Sequence, residues 1–381
     1  MAKNASTRYT VQEFCNNANW SDATKKNYKY ALLNYARFLF PDKKDPDAAL
    51  SALNQHVCKT INPAKDIGNY ATFMKGKPPK TVGLYLTAVR SFYGLNGHVF
   101  NKQELKRIVP KAGDAETKQG ELTTDMLRRM VGAADIRARV LIMLLASTAC
   151  RIGELCAVAL DDVNMNSKPP SIHLRKEITK NKRERTVFLT DEAKEVLAIW
   201  LGGERLKYLQ ASYLRNEGLN DQFRDKKRQL PENDRRLLGL STFGARAIWY
   251  NTLSRVVDKD TLKPDAKTRI HPLSPHVVRK WWRITANQGF RNEDYAHLLM
   301  GHWNNSLDYV YARIGVAGLG KEFLKAQPAL SILTSESTKE LRENVDKQAD
   351  RLLSLERENE KMRNEMETLK RIILFTDEQK K

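Results

Sequence analysis

The chain has 381 residues, 41% of them hydrophobic and 29% charged, with a formal net charge of +20. That length predicts two or three domains, and the absence of a run of about 18 apolar residues excludes a helical membrane span. The basic surplus points to a polyanionic partner, because each phosphate contact releases condensed counterions.

The opening stretch, MAKNASTRYTVQEF, holds no apolar signal core, so the protein is expected to stay where it is made, cytoplasmic and nucleoid-associated. Four scattered cysteines, Cys15, Cys58, Cys150 and Cys156, form no C-x-x-C pair and read as reduced thiols. The seven histidines make no zinc pattern with them. His297 and His302 are five apart, a spacing that aligns two ligands poorly on a helix. No metal and no cofactor are expected.

Residues 1–112 read as an all-helical domain. Ser21 can cap a helix whose inner face carries Tyr28, Leu32, Tyr35 and Leu39. Thr81 can cap another, with Val82, Tyr85, Leu86, Val89 and Phe92 as its stripe and Gly94 and Asn96-Gly97 as its stop. Residues 113–120 are small and polar and read as a linker. A second domain spans 121–330. Thr123 or Thr124 caps its first helix, with Met126, Leu127 and Met130 turned inward. ARVLIMLLASTA is apolar nearly all round and predicts a buried central helix.

SIHLRKEITK and ERTVFLT flank a charged tip and predict a β-hairpin. DEAKEVLAIWLGG returns to helix and ends in glycines. Residues 204–238 are highly charged and read as a surface excursion or insertion. LSTFGARAIWYNTLSRVV, LSPHVVRKWWRITANQGF and NEDYAHLLMGH predict three further helices. The fold class is thus mainly α with a small β element (α+β). Over 336–375, Val345, Leu352, Asn359, Met366 and Ile373 recur as heptad a positions, with Leu341, Gln348, Leu355, Met362 and Leu369 as d positions. That pattern predicts a coiled coil, and Asn359 at an a position favours a two-stranded dimer over a helix folded back on its own domain.

Four separated segments carry chemistry. TACRIGEL holds Arg151, ITKNKRERTVFL holds Lys180 and Lys182, SPHVVRK holds His276 and Arg279, and LMGHWNNSLDYVYAR holds His302, Tyr309 and Tyr311. Each alone reads as ordinary packing or a surface pair. In this order, from about 121 to 315, they resemble the tyrosine recombinase (phage integrase) family: its T-G-L-R-x-x-E-L, H-x-x-R and L-G-H boxes. Ala149-Cys150 and Met300 depart from those boxes mildly. The form HVVRKWW resembles integrases of archaeal mobile elements.

The resemblance implies a tyrosine nucleophile nine residues after the last histidine, which selects Tyr311 over Tyr309. It implies Arg151 and Arg279 as clamps on the scissile phosphate, His276 and His302 as its hydrogen-bond or proton-transfer partners, and Lys180, or Lys182, as general acid. It also implies a core-binding (SAM-like) N-terminal domain, a C-shaped clamp on double-stranded DNA, a tetramer on that DNA, and a 3′-phosphotyrosyl intermediate in integrating or excising a mobile element.

This chemistry suits the residue types. A tyrosyl ester conserves the phosphodiester bond energy without a cofactor. Guanidiniums fork onto the charged non-bridging oxygens, a geometry lysine cannot copy. Cationic surroundings are expected to help ionise Tyr311, whose ordinary pKa is about 10. Glu154 orients Arg151 or faces solvent. Trp303 either contacts the phosphate or packs, and Trp281 and Trp282 are expected in the core. The rivals are a type IB topoisomerase that relaxes supercoils and a catalytically silent DNA-binding protein.

Overall fold

The computed structural model describes residues 9–60, 62–101, 103, 107, 120–220, 222, 225, 229–258, 260–265, 271–302, 305–333 and 361–362, with only the backbone at 305–310 and 312. The described residues are mainly helical, with one three-stranded sheet. Contacts divide the chain into two compact units: Met1–Lys118 with Pro264–Arg269, and Gln119–Lys263 with Ile270–Lys381.

In the first unit, α1 (Val11–Cys15) is closed by a reciprocal Thr10–Glu13 capping box, which satisfies two orphan donors at once. Ser21 caps α2 (Asp22–Leu39) as expected, through the Thr24 amide. Asp45 and Asn62 cap α3 (Pro46–Lys59) and α4 (Pro63–Phe73). Helix α5 (Pro79–Leu95) begins earlier than Thr81 implies. Pro79 takes the first turn, where a missing N–H costs nothing.

The predicted stripes point inward. Leu32, Tyr35, Val89 and Phe92 are fully buried, and Tyr28, Leu39, Val82 and Tyr85 pack at the margin. Each large side chain so buried contributes roughly 1.5–3 kcal/mol. Two tyrosine hydroxyls enter this core as a pair, Tyr35 to Tyr93 at 3.0 Å.

The second unit is built around α7 (Ile136–Thr148), buried on every side from Val140 to Thr148. Around it pack α6 (Thr124–Gly132), α9 (Asp191–Ile199), α11 (Thr242–Leu253) and α12 (Val277–Ala286). Thr123 supplies the α6 cap. Trp282 donates to the Ser147 carbonyl at 2.9 Å, and Trp281 is also buried, so both tryptophans are core residues.

The hairpin forms from β2 (Ser171–Leu174) and β3 (Arg185–Phe188), antiparallel with Ile172 opposite Val187. A short edge strand, β1 (Val163–Asn164), adds to β2 and was not expected. The remaining elements are α8 (Ile152–Ala157), α10 (Arg205–Glu217), α13 (Asp294–Met300) and α14 (Asn305–Ala326).

The glycines do close the helix: Gly203, at φ 137, is a kink that separates α9 and its π turn, Trp200–Glu204, from α10. One reading needs correction. Residues 204–238 are not only a surface excursion. Leu209, Leu237 and Leu238 are buried, and Arg205 donates to the carbonyls of Arg236 and Asp234. The segment thus helps close the core, despite its many charges. The expected coiled coil lies outside the described residues, except Lys361 and Met362, which are helical. Among the described residues no helix is long and apolar enough to cross a membrane.

Candidate active site

The site begins where α7 stops. Ala149 closes that helix in the left-handed region, φ 51, a conformation costing a non-glycine residue roughly 1–2 kcal/mol. The chain then reverses, and Arg151 takes the N-cap position of α8. Glu154, one turn on, accepts from the Arg151 backbone N–H at 3.1 Å and from its Nη1 at 2.7 Å. Glu154 is only 3% exposed, so it orients Arg151 and does not face solvent.

A second arginine completes this carboxylate. Arg185 of β3 is buried and donates from Nη2 to Glu154 at 2.7 Å and from Nε to the Leu299 carbonyl at 3.0 Å. Burial pushes the Glu154 pKa up, but Arg185 and then Arg151 outweigh it, leaving the carboxyl below its ordinary value. Arg185 therefore ties the hairpin to the Arg151 turn and to the end of α13. Its place in ERTVFL was readable in part. In β3, Arg185 shares the inward face with Val187, and a charge on an apolar strand face signals a buried pair.

Arg279 on α12 is 2% exposed. Its Nη1 donates to the Ala149 carbonyl, its Nη2 to the Met300 carbonyl at 2.8 Å, and the same Nη2 reaches His302 Nε2 at 3.5 Å. Burial, and next the charge of Arg151, lower its pKa to about 10, so it stays cationic at neutral pH.

His302 follows Gly301, which caps α13 at φ 72. A Cβ there would meet the Arg185 guanidinium at 2.8 Å, so glycine is required both by conformation and by space. Burial first, then Arg279, His297, Arg151 and Arg283, bring the His302 pKa down to about 4. His276, at the start of α12, has an exposed edge, yet partial burial and then Arg279 and Arg151 lower its pKa too. Both imidazoles are thus held neutral. The His297 and His302 rings lie against each other, contrary to the helical spacing argument, because Gly301 turns the chain back. Among the described residues no group of three or more His, Cys, Asp or Glu could hold a metal ion.

Four of the six expected residues therefore share one electrostatic cluster: Arg151, His276, Arg279 and His302. Lys180 stands exposed at the hairpin tip, as does Lys182, whose φ is 52. Asn181 between them donates to the Gly301 carbonyl at 3.2 Å, which pins that tip beside the His302 turn. Tyr311 lies on α14, partly buried against the core, ahead of a break in that helix at Gly315, φ 62 and ψ 179. The expectation that cations favour its ionisation fails. Burial, and then the charge of Glu184, raise its pKa. Trp303 lies outside the described residues, and of Tyr309 only the backbone is described.

A family model described as the phage integrase family matches residues 121–315. The chain is similar to the tyrosine recombinase XerA of Saccharolobus solfataricus, 24% identical over 315 residues that cover 82% of this chain and 90% of that protein. It is similar to the tyrosine recombinase XerD of Bifidobacterium longum, 23% identical over 277 residues, 69% of this chain and 82% of that one. Among solved structures, a lambda integrase (75–356) dimer bound to a COC′ core site is 14% identical, with 79% of this chain and 92% of that chain covered and a TM-score of 0.49.

Proposed function

The chain belongs to the phage integrase family, and on that premise we propose that it is a site-specific DNA recombinase that cleaves and rejoins duplex DNA through a 3′-phosphotyrosyl intermediate. The observation that carries this reading is the convergence of Arg151, His276, Arg279 and His302, from three distant segments, within reach of one another's charge.

The chemistry follows from that electrostatic pattern. The Tyr311 oxygen attacks the scissile phosphorus and the 5′ oxygen leaves. Its phenol is not ionised in advance, since its pKa is raised, so a neutral base must take the proton. His276, kept neutral by partial burial and by arginine charge and open on one edge, is suited to that task, and His302 stands in the same cluster with its Nε2 beside Arg279. Arg151 spends one donor on Glu154 and offers others to the non-bridging oxygens, as its five N–H groups allow. Arg279 adds a charge that the surrounding protein screens little. Lys180, with Lys182 as the alternative, protonates the departing oxygen from the hairpin tip.

Family membership also supports the larger arrangement. Residues 1–112 form a core-binding domain and 121–330 the catalytic domain, joined by 113–120 and closing as a clamp on double-stranded DNA. Four protomers exchange strands through a Holliday junction, and the 336–375 coiled coil pairs protomers.

A nicked suicide duplex carrying the attachment site tests the reading. Wild type and Tyr309→Phe should form a covalent protein–DNA adduct, and Tyr311→Phe should form none. An adduct that persists in Tyr311→Phe, or none with wild type, overturns it. Recombination between two sites, measured beside supercoil relaxation, separates a recombinase from a topoisomerase.

A further inference from the structure

We propose that His297, which takes no part in the chemistry above, is a positioning residue: it holds the proton of His302 on Nδ1 and so keeps the Nε2 lone pair of His302 turned toward Arg279. This rests on reading His302 as part of the strand-transfer site. On a straight helix, residues five apart point about 140° from one another. Here α13 ends at Met300, and Gly301 folds the chain back until the His302 N–H donates to the His297 carbonyl at 2.9 Å. The two imidazoles then meet with Nδ1 3.1 Å from Nδ1.

Two bare nitrogens at that distance repel, and so do two protonated ones. One Nδ1 must therefore donate and the other accept. The far edge of His302 decides which. Its Nε2 lies 3.5 Å from Arg279 Nη2, and a guanidinium offers donors only. A proton on Nε2 would face another N–H, so Nε2 accepts. The one proton of a neutral His302 is then on Nδ1, donated to the bare Nδ1 of His297, which carries its own proton on Nε2. The pKa of His302, brought down to about 4 by burial first and Arg279 next, agrees with a neutral ring.

The arrangement fixes which nitrogen of His302 accepts from Arg279. Replacing His297 by leucine removes the acceptor for the Nδ1 proton. His302 then has a buried donor without a partner and its proton is free to move to Nε2, which removes the acceptor that Arg279 faces and turns two donors against each other. Glutamine supplies an amide oxygen that accepts the same bond.

The test is the side-chain nitrogen spectrum of the full-length chain labelled with 15N-histidine, at neutral pH and without DNA. In wild type, Nδ1 of His302 and Nε2 of His297 should be protonated and the other two nitrogens bare. In His297→Leu the His302 proton should shift toward Nε2 and adduct formation on the suicide duplex should fall roughly tenfold or more. His297→Gln should restore both. A wild-type His302 protonated on Nε2, or a His302 tautomer unchanged in a folded His297→Leu, overturns the proposal. The spectrum needs no DNA, so it reads His297 separately: absence of any wild-type adduct would sink the recombinase reading and leave the tautomer result standing.

Discussion

Arg279 and Tyr311 are held in opposite ways. Arg279 is 2% exposed and tied to the carbonyls of Ala149 and Met300. Tyr311 sits part-buried on the flank of a helix that breaks four residues later at Gly315, and Lys180 stands in the open on a hairpin tip. The groups that set the electrostatic field are locked into the core by backbone carbonyls and by Glu154. The groups proposed to form and break bonds, Tyr311 and Lys180, stand on elements around it. Fixed dipoles and charges stabilise a transition state without reorganising, whereas a nucleophile and a general acid must approach and leave.

Breaking the locked side should show the largest effects. Arg185→Met leaves Glu154 with one partner in a site where both are 3% exposed. Removing one member of such a pair typically costs about 3–5 kcal/mol, and a large drop in melting temperature should appear in thermal unfolding, with strand cleavage lost alongside. Gly301→Ala combines a positive φ with a clash against the Arg185 guanidinium. The conformation alone costs roughly 1–2 kcal/mol, so denaturant titration should give at least that destabilisation. Thr123→Ala removes only the α6 cap, at about 1 kcal/mol, and should leave cleavage unchanged. A cap loss that abolished cleavage would mean the locked cluster extends further than drawn.

The comparison also predicts a pH dependence. His302 has its pKa lowered to about 4 in the folded chain, against roughly 6.5 unfolded. Between those values the unfolded chain binds the extra proton and the folded chain does not, so stability rises with pH across about 4 to 6.5 and levels above. His276 moves in the same direction. Melting temperature followed across that window should climb in wild type, and the climb should be shallower in His302→Asn.

Much of the site was legible in the chain, because it is written in short boxes at family spacing. Arg151, His276, Arg279 and His302 come together as those boxes imply. The supports were harder to read. Glu154 left two readings open, and Arg185 belongs to none of the boxes, so that only its strand face marks it as buried. The His297–His302 contact depends on a left-handed glycine, which brings together two rings that helical spacing would hold apart. In the fold, Gly202-Gly203 was legible as a stop, because φ 137 at Gly203 breaks the chain between two helices there. Heptad periodicity is clear over 336–375, but nearly all of it lies beyond the described residues.

The most direct measurement is the rate of covalent adduct formation by wild type and Arg151→Ala on two suicide duplexes, one with an ordinary scissile phosphate and one with a neutral methylphosphonate there. If Arg151 neutralises charge on the non-bridging oxygens, its loss should slow cleavage of the phosphate by about 10²- to 10³-fold and slow the methylphosphonate far less. An equal loss on both substrates would contradict the account, because Arg151 would then support the turn beside Glu154 and not the charge of the reacting phosphate.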